Sequence, residues 1–283
     1  MSAVPSFCPA ARFSGLATLP QLAGVWRAGE LPCEAVRTVD TGYPALNAAL
    51  PGGGWPVGSL TELLQKMPGD GEWGLLAPAL ALMASADLAT TSVKPAPRLP
   101  GRAPPAVVLV GAPHAPFGPA LAARQFDPSR LLLVQPGLPA AQLWAAEQAL
   151  RCADVEAVLA WLPRVQMVHL RRLQTAAQEH GKLLFVFRPE SAQHEASPAP
   201  LRLLLARSQS SGTGRAPALQ LHIFKRRGPP LSAPLAICTA PPRLDALLAA
   251  RRAHAQLRRQ ASAPAWQVFQ ESLHALDRFA AAG

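Results

Sequence analysis

The sequence of 283 residues predicts an α/β fold built on a mostly parallel β-sheet. Short, continuous apolar runs recur along the chain, as is typical of strands that are buried on both faces. Segments with helical periodicity lie between these runs, which is the pattern of βαβ crossover units. A hydrophobic content of 49% supplies the side chains for a substantial core.

The first predicted elements surround two glycine-rich segments. A short helix is predicted over residues 43–50, and an apolar strand over residues 59–64. A glycine-rich loop then leads into a helix over residues 72–86, in which one apolar stripe repeats at helical spacing and Pro78 predicts a kink. Residues 86–105 are rich in Pro, Ser and Thr and predict a surface loop.

Strands and helices alternate through the middle of the chain. The apolar runs predict four strands, each buried on both faces, at residues 106–110, 131–134, 156–161 and 183–187. Helical segments are predicted between them at residues 117–126, 139–152 and 164–180. Gly181 is expected to end the last of these helices as its C-cap.

The pattern changes after residue 187. Strands are predicted without long helices between them, at residues 201–206, 219–225 and 235–238, and a Gly/Ser loop at 208–215 predicts a hairpin. Two further helices are predicted at residues 243–259 and 265–280. The expected organisation is an N-terminal extension (1–38), a core domain (39–240) and a basic, helical C-terminal extension (241–283).

The net charge of +10 is unevenly distributed. Residues 1–160 carry 10 Lys and Arg against 11 Asp and Glu, whereas residues 161–283 carry 17 against 6. This asymmetry favours a polyanion or an acidic protein surface as a partner, and an Arg-rich composition that serves solubility alone is the alternative. The basic residues of the second half that are candidates for DNA or partner contact are Arg164, Arg171, Arg172, Lys225, Arg226, Arg227, Arg251, Arg252, Arg258 and Arg259.

The four cysteines show neither metal-binding nor redox spacing, so we expect reduced thiols in a cytoplasmic protein. Pro5 and Pro9 interrupt any leader-like apolar run, and prolines within 103–123 argue against a membrane span there. His114 follows a predicted strand, but no carboxylate or Cys lies near it in sequence, so a structural role is expected.

The segment that begins at Thr41-Gly42 and runs through the glycines at 52–54 to Glu62 resembles the approach to the phosphate loop of RecA-like ATPases. The resemblance extends over residues 39–228 and implies a RecA-like core of the P-loop NTPase type. In that family the strand is followed by G-x-x-x-x-G-K-[ST]. Here the loop contains Gln65, Lys66, Gly69 and Gly71, with no Gly-Lys-Ser/Thr.

Two further positions of the family's nucleotide site lack their acidic residues. The catalytic Glu of the family falls at Pro113, and its Walker B Asp falls at Trp161. Lys, Ser/Thr and the two carboxylates each contribute to phosphate binding, magnesium binding or water activation. Without them we expect no ATP hydrolysis, no catalytic residues, no cofactor and no metal. Trp161 and Trp144 are both expected in the core, with Trp161 filling part of the former nucleotide pocket.

Five motifs together resemble the ImuA family of translesion DNA synthesis-associated proteins. They are G-G-G-W-P-V-G-S-L-T-E-L-L at 52–64, L-W-A-A-E-Q-A-L-R at 143–151, L-A-W-L-P-R at 159–164, L-R-R-L-Q at 170–174 and F-K-R-R-G-P-P at 224–230.

This resemblance implies a non-catalytic, damage-induced accessory protein. Its partners would be the Y-family polymerase homologue ImuB, an error-prone α subunit of the replicative polymerase, and RecA, with DNA as a further candidate. The alternatives are a SulA-like inhibitor of cell division, which resembles the same fold, and an active RecA-like ATPase.

Overall fold

A computed structural model describes residues 37–84, 104–207, 218–228, 231 and 233–240, and, beyond these, Ala246, Ala250, Arg251, Ala253 and His254. Nearly all of the predicted N-terminal extension and most of the predicted 86–105 loop lie outside the described residues. The predicted helix at 265–280 also lies outside them. The five described residues between 246 and 254 are helical and exposed.

Ten strands are found in the described part of the chain. They are β1 (Thr38–Val39), β2 (Trp55–Pro56), β3 (Ser59–Gln65), β4 (Ala106–Val110), β5 (Leu131–Val134), β6 (Val155–Trp161), β7 (Leu183–Pro189), β8 (Leu201–Arg207), β9 (Ala218–Lys225) and β10 (Leu235–Cys238). The first two form a small antiparallel ribbon. The other eight form one sheet in the order β10-β9-β8-β3-β7-β6-β4-β5.

The main sheet is mostly parallel. Strands β5, β4, β6, β7, β3 and β8 run parallel to one another, and β9 and β10 extend the sheet beyond β8 in antiparallel pairing. The predicted α/β class and the antiparallel pair that follows it are therefore confirmed. Strand β3 pairs with β7 on one side and β8 on the other, so it lies inside the sheet.

Helices cover both faces of the sheet. They are α1 (Pro44–Ala49), α2 (Glu72–Ala84), α3 (Gly118–Ala122), α4 (Pro139–Arg151) and α5 (Met167–His180). Alternate residues of β7 enter two separate cores: Phe185 packs with α1 and α2, whereas Val186 packs with α4 and α5. The central strands are apolar on both faces because each face meets its own helical layer.

Three predicted features differ from the structure. The helix predicted over 117–126 is shorter, Gly118–Ala122, and the helix predicted from residue 164 begins at Met167, after Pro163. The strand at Leu131–Val134 is not buried on both faces, since Leu132 and Leu133 are 53% and 40% exposed. As the outermost strand, β5 pairs with β4 alone, and it is only its first and last residues, Leu131 and Val134, that pack against the two cores. Gly181 does end α5, in the left-handed conformation.

Tyr43 supplies a hydrogen bond that Pro78 cannot make within α2. Pro78 lies inside this helix and has no N–H, so the carbonyl of Gly74 loses its normal partner four residues later. The hydroxyl of Tyr43 donates to that carbonyl oxygen at 2.5 Å. Gly42 allows the close approach, because a Cβ there would lie 2.4 Å from Cβ of Pro78 and its φ is +82°. The segment before α1 is thereby attached to α2.

Because Tyr43 is the only tyrosine of the chain, its titration can be followed directly. Burial raises the pKa of Tyr43 above its usual value, with Arg124 acting in the opposite direction. The native state therefore holds the phenolic proton more tightly than the unfolded chain does. The resulting stabilisation is present below the unfolded pKa of about 10 and is lost as the pH rises through the native value. We expect tyrosinate absorbance in the native protein to appear only above pH ~10.

The variant Tyr43→Phe should lower the free energy of unfolding by about 1–3 kcal/mol in urea, since it leaves the Gly74 carbonyl unpaired. The same variant is the blank for the absorbance titration. A native tyrosinate transition at or below pH ~10, or an unchanged stability, would contradict the buried hydrogen bond.

Candidate functional site

A cavity of about 510 Å³ lies at the carboxyl ends of four parallel strands. Its walls come from the ends of β3, β4, β6 and β7 and from the segments that follow them. Ligand sites of open α/β sheets occur at this edge, where the loops after the strands converge. The volume falls in the range of pockets that hold small organic ligands.

The structure brings four positions of the predicted nucleotide site together in this cavity. Lys66 follows β3, Pro113 lies just beyond β4, and Trp161 is the last residue of β6, and all three line the cavity. Gln65, the last residue of β3, lines it as well. These positions are far apart along the chain, and the order of the strands brings them to one edge of the sheet.

The glycine-rich loop between β3 and α2 is occupied by its own carboxylates. The side chain of Glu72 accepts hydrogen bonds from the backbone N–H of Gly69 at 2.8 Å and of Gly71 at 3.1 Å. The side chain of Asp70 accepts one from the N–H of Met67 at 3.0 Å. Glu72 is only 5% exposed and is the first residue of α2, where a negative charge also meets the positive end of the helix dipole.

Phosphate loops bind their ligand with backbone N–H groups and a helix N-terminus of this kind. Here two carboxylates hold those groups and add negative charge beside them. A phosphate group would have to displace Glu72 and face Asp70 at short range, which is unfavourable. The sequence analysis did not predict that carboxylates occupy this loop. The spacing of Glu72 after Gly69 and Gly71 was the available signal.

Trp161 is buried, at 7% exposure, and stacks on Phe187 with ring centroids 4.3 Å apart and planes 13° apart. The expectation that it belongs to the core is confirmed. Its ring lies against Phe187, and a cavity of about 510 Å³ remains beside the pair, so that Trp161 fills part of a former nucleotide pocket stays a prediction. The expectation that Trp144 belongs to the core is wrong, because this residue of α4 is 64% exposed.

A buried network of charges lies next to the cavity and was not predicted. Glu62, in the middle of β3 and fully buried, accepts from Nε of Arg202 at 2.6 Å and from Oγ of Ser197 at 2.6 Å. Nη1 of Arg188 lies 3.7 Å from the same carboxylate, and Nη2 of Arg188 donates to Glu195 at 2.5 Å. Arg188 also lines the cavity, so this network supports one of its walls. Strands β3, β7 and β8 supply the network, and no single stretch of sequence signals it.

The predicted basic residues do not form one surface in the described part of the chain. Arg164 precedes α5 and lines the cavity, so the prediction that it shares a helix with Arg171 and Arg172 is wrong. Arg172 pairs with Glu147 of α4 at 2.5 Å, and Arg171 is exposed.

The basic segment 225–227 lies elsewhere on the molecule, at the opposite, amino edge of the parallel strands. In the register of β8 and β9, Lys225 lies opposite Arg202, near the start of β8. Nζ of Lys225 donates to the carbonyl of Ser197 at 2.8 Å, Arg226 donates to the carbonyl of Ala49, and Arg227 is exposed.

Arg251 is exposed, whereas Arg252, Arg258 and Arg259 lie outside the described residues. His114 is exposed beyond the end of β4. Cys152 and Cys238 are exposed, free thiols, and the described residues contain no group of metal-ligating side chains. No described helix combines the length and apolar character that crossing a bilayer would require.

No protein-family model and no curated protein matches this chain. The geometry of the site and the residues that build it therefore carry the functional argument.

The two hydrogen bonds that Glu72 accepts from Gly69 and Gly71, here called the Glu72 clamp, can be tested by measuring the free energy of unfolding. Glu72→Gln should lower the free energy of unfolding by about 1–3 kcal/mol, since it weakens two charge-assisted hydrogen bonds at a buried helix start. Urea denaturation followed by circular dichroism measures this difference. Glu179→Gln, a matched change at an exposed position of α5, should stay within about 0.5 kcal/mol of the parent. Equal effects of the two substitutions would refute the clamp.

Proposed function

We propose that this protein is a non-catalytic accessory protein of a damage-induced, error-prone DNA synthesis assembly, built on a RecA-like core. Its partners would be an ImuB-type polymerase homologue and an error-prone polymerase α subunit, with RecA and DNA as further candidates. The proposal combines the ImuA-like motifs of the sequence with the chemistry of the cavity edge. It places the protein in the cytoplasm, at the nucleoid when active.

The parallel sheet and the position of its glycine-rich loop support a RecA-like class. The loop follows β3, a strand that lies between β7 and β8 within the sheet, and leads directly into α2. That arrangement of strand, glycine-rich loop and helix is the one on which P-loop proteins hold phosphate.

One observation carries the non-catalytic part of the proposal. The N–H groups of Gly69 and Gly71 are taken by the carboxylate of Glu72, in a loop that already lacks Lys and Ser/Thr at the phosphate-binding positions. Pro113 and Trp161 line the cavity where the family's two acidic residues would activate water and hold magnesium. A fold of this kind, without its chemistry, is suited to presenting surfaces to other proteins.

The first test is ATP turnover. We expect no release of phosphate from Mg-ATP by the pure protein above the buffer blank, with or without single-stranded DNA, because each missing group contributes orders of magnitude to the rate. Lys66→Ala serves as the control for a contaminating ATPase, which it would not affect. Turnover that disappears in Lys66→Ala would replace the proposal with an active ATPase.

The second test concerns the basic C-terminal extension. We expect the fourfold charge reversal of Arg251, Arg252, Arg258 and Arg259 to Glu to abolish co-purification with the ImuB-type partner, because a basic arm then faces its acidic target with the wrong sign. Arg151→Glu, at an exposed residue of α4 that is not among the candidate contacts, is the single-charge control on the core, and it should leave co-purification unchanged.

Full recovery of the partner by the fourfold variant would sink the assignment of this arm. Filamentation of cells on overexpression, without any change in damage-induced mutation, would favour the SulA-like alternative instead.

A further inference from the structure

We propose that the groove between α4 and α5 is a docking site for the C-terminal segment of the same chain, residues 265–280. This inference does not depend on the proposed assembly role. It follows from the apolar side chains that the groove exposes, the apolar stripe of the segment, the length of chain that joins the two, and their charges.

The groove between α4 and α5 exposes apolar side chains above a buried floor. It contains a cavity of about 190 Å³, and the apolar part of its lining consists of Ala140, Leu143, Trp144 and Leu173. Trp144 is 64% exposed. Val168 lies one turn before the lining residue Arg172, and therefore on the same face of α5, and it is 63% exposed. Tryptophan is highly buried on average, and an exposed apolar patch around one indicates a docking surface.

The C-terminal segment carries a stripe of the kind that such a groove accepts. Its residues Trp266, Phe269, Leu273 and Leu276 recur at spacings of three and four, which predicts an amphipathic helix with one apolar face. Such a helix gains most of its stability when this face packs against another element. The groove between two packed helices offers that contact, because a row of side chains from a third helix can enter it.

The chain is long enough to bring the segment to the groove. Helix α4 packs on β4 and β6, and α5 packs on β3 and β7, so the groove lies over β6 and β7. The last strand, β10, is four or five positions away in the sheet, or ~19–24 Å at the usual strand spacing. Residues 239–264 would span ~39 Å even as a continuous helix. A tethered segment reaches an effective concentration on the order of 1 mM, which favours it over an untethered partner.

The charges of the two surfaces are complementary. Glu147 pairs with Arg172 at 2.5 Å and with Arg151 at 2.7 Å, so two arginines share one carboxylate and the rim of the groove has an excess of positive charge. Residues 265–280 contain two acidic residues and one basic residue, a net charge of −1 in a strongly basic half of the chain. Asp277 flanks the apolar stripe of the predicted helix, where a carboxylate can face Arg172. The net charge of +10 disfavours a second copy as the occupant.

The test is photo-crosslinking in the full-length protein. Trp144→benzoylphenylalanine places a photoreactive ring in the groove, and a mixture of unlabelled and isotopically labelled protein separates crosslinks within one chain from crosslinks between chains. We expect a crosslink within one chain to the tryptic peptide 260–278. The control is Leu132→benzoylphenylalanine, at an exposed position of the edge strand β5, and it should give at least about tenfold less of this crosslink.

Further substitutions, each combined with the photoreactive residue at position 144, locate the contact. Val168→Glu in the groove and Leu273→Glu in the stripe each place a charge in the apolar contact and should lower the crosslink yield by about tenfold. Gln267→Glu introduces the same charge in the segment but outside the stripe, and it should leave the yield unchanged. Because Val168 is exposed, its substitution should preserve the fold, which circular dichroism checks.

Three results overturn the proposal. A crosslink found only between chains would assign the groove to a second copy, and one found only to residues outside 260–278 would assign it to another segment. The absence of any crosslink from position 144 would leave the groove without an occupant. Equal yields in Leu273→Glu and Gln267→Glu would show that the stripe does not make the contact, and would also refute it.

Discussion

The hydrogen bonds from the N–H groups of Gly69 and Gly71 to the carboxylate of Glu72 fix the conformation of the loop at the carboxyl edge of the sheet. In a phosphate loop those N–H groups have no protein partner, and they form hydrogen bonds when the ligand binds. Here the chain satisfies them itself, at the start of α2 where a carboxylate is also favoured by the helix dipole. The hydrogen-bonding groups of the loop are thus satisfied within the chain.

The buried charges around Glu62 have a related effect on the centre of the sheet. A carboxylate at 0% exposure requires compensation, and Arg202 and Arg188 provide it from the two strands that flank β3. Such a network adds little net stability over an apolar core, but removal of one partner leaves a buried charge unpaired. The register of β7 and β8 against β3 is therefore under strong constraint. That constraint also holds Arg188 in the wall of the cavity.

Most of the fold was predictable because the sheet is parallel and central. The runs at 106–110 and 183–187 are apolar at every position, and they became strands buried under two helical layers. The same rule failed for Leu131–Val134, since a run of leucines does not reveal whether its strand lies inside the sheet or at its edge. The prediction that Trp144 lies in the core failed for a similar reason. Residue type favours burial of an aromatic side chain, but which face of α4 is exposed depends on how that helix packs.

The sequence by itself determined the α/β class, the order of the elements and the lack of a Gly-Lys-Ser/Thr motif in the glycine-rich loop, because these follow from local periodicity and residue type. Only the tertiary structure decided that Lys66, Pro113 and Trp161 share one cavity and that Glu72 occupies the loop. It also separated Arg164 from the basic segment 225–227, at opposite edges of the parallel strands. These facts depend on strand order, and strand order is set by packing between residues that are distant in the chain.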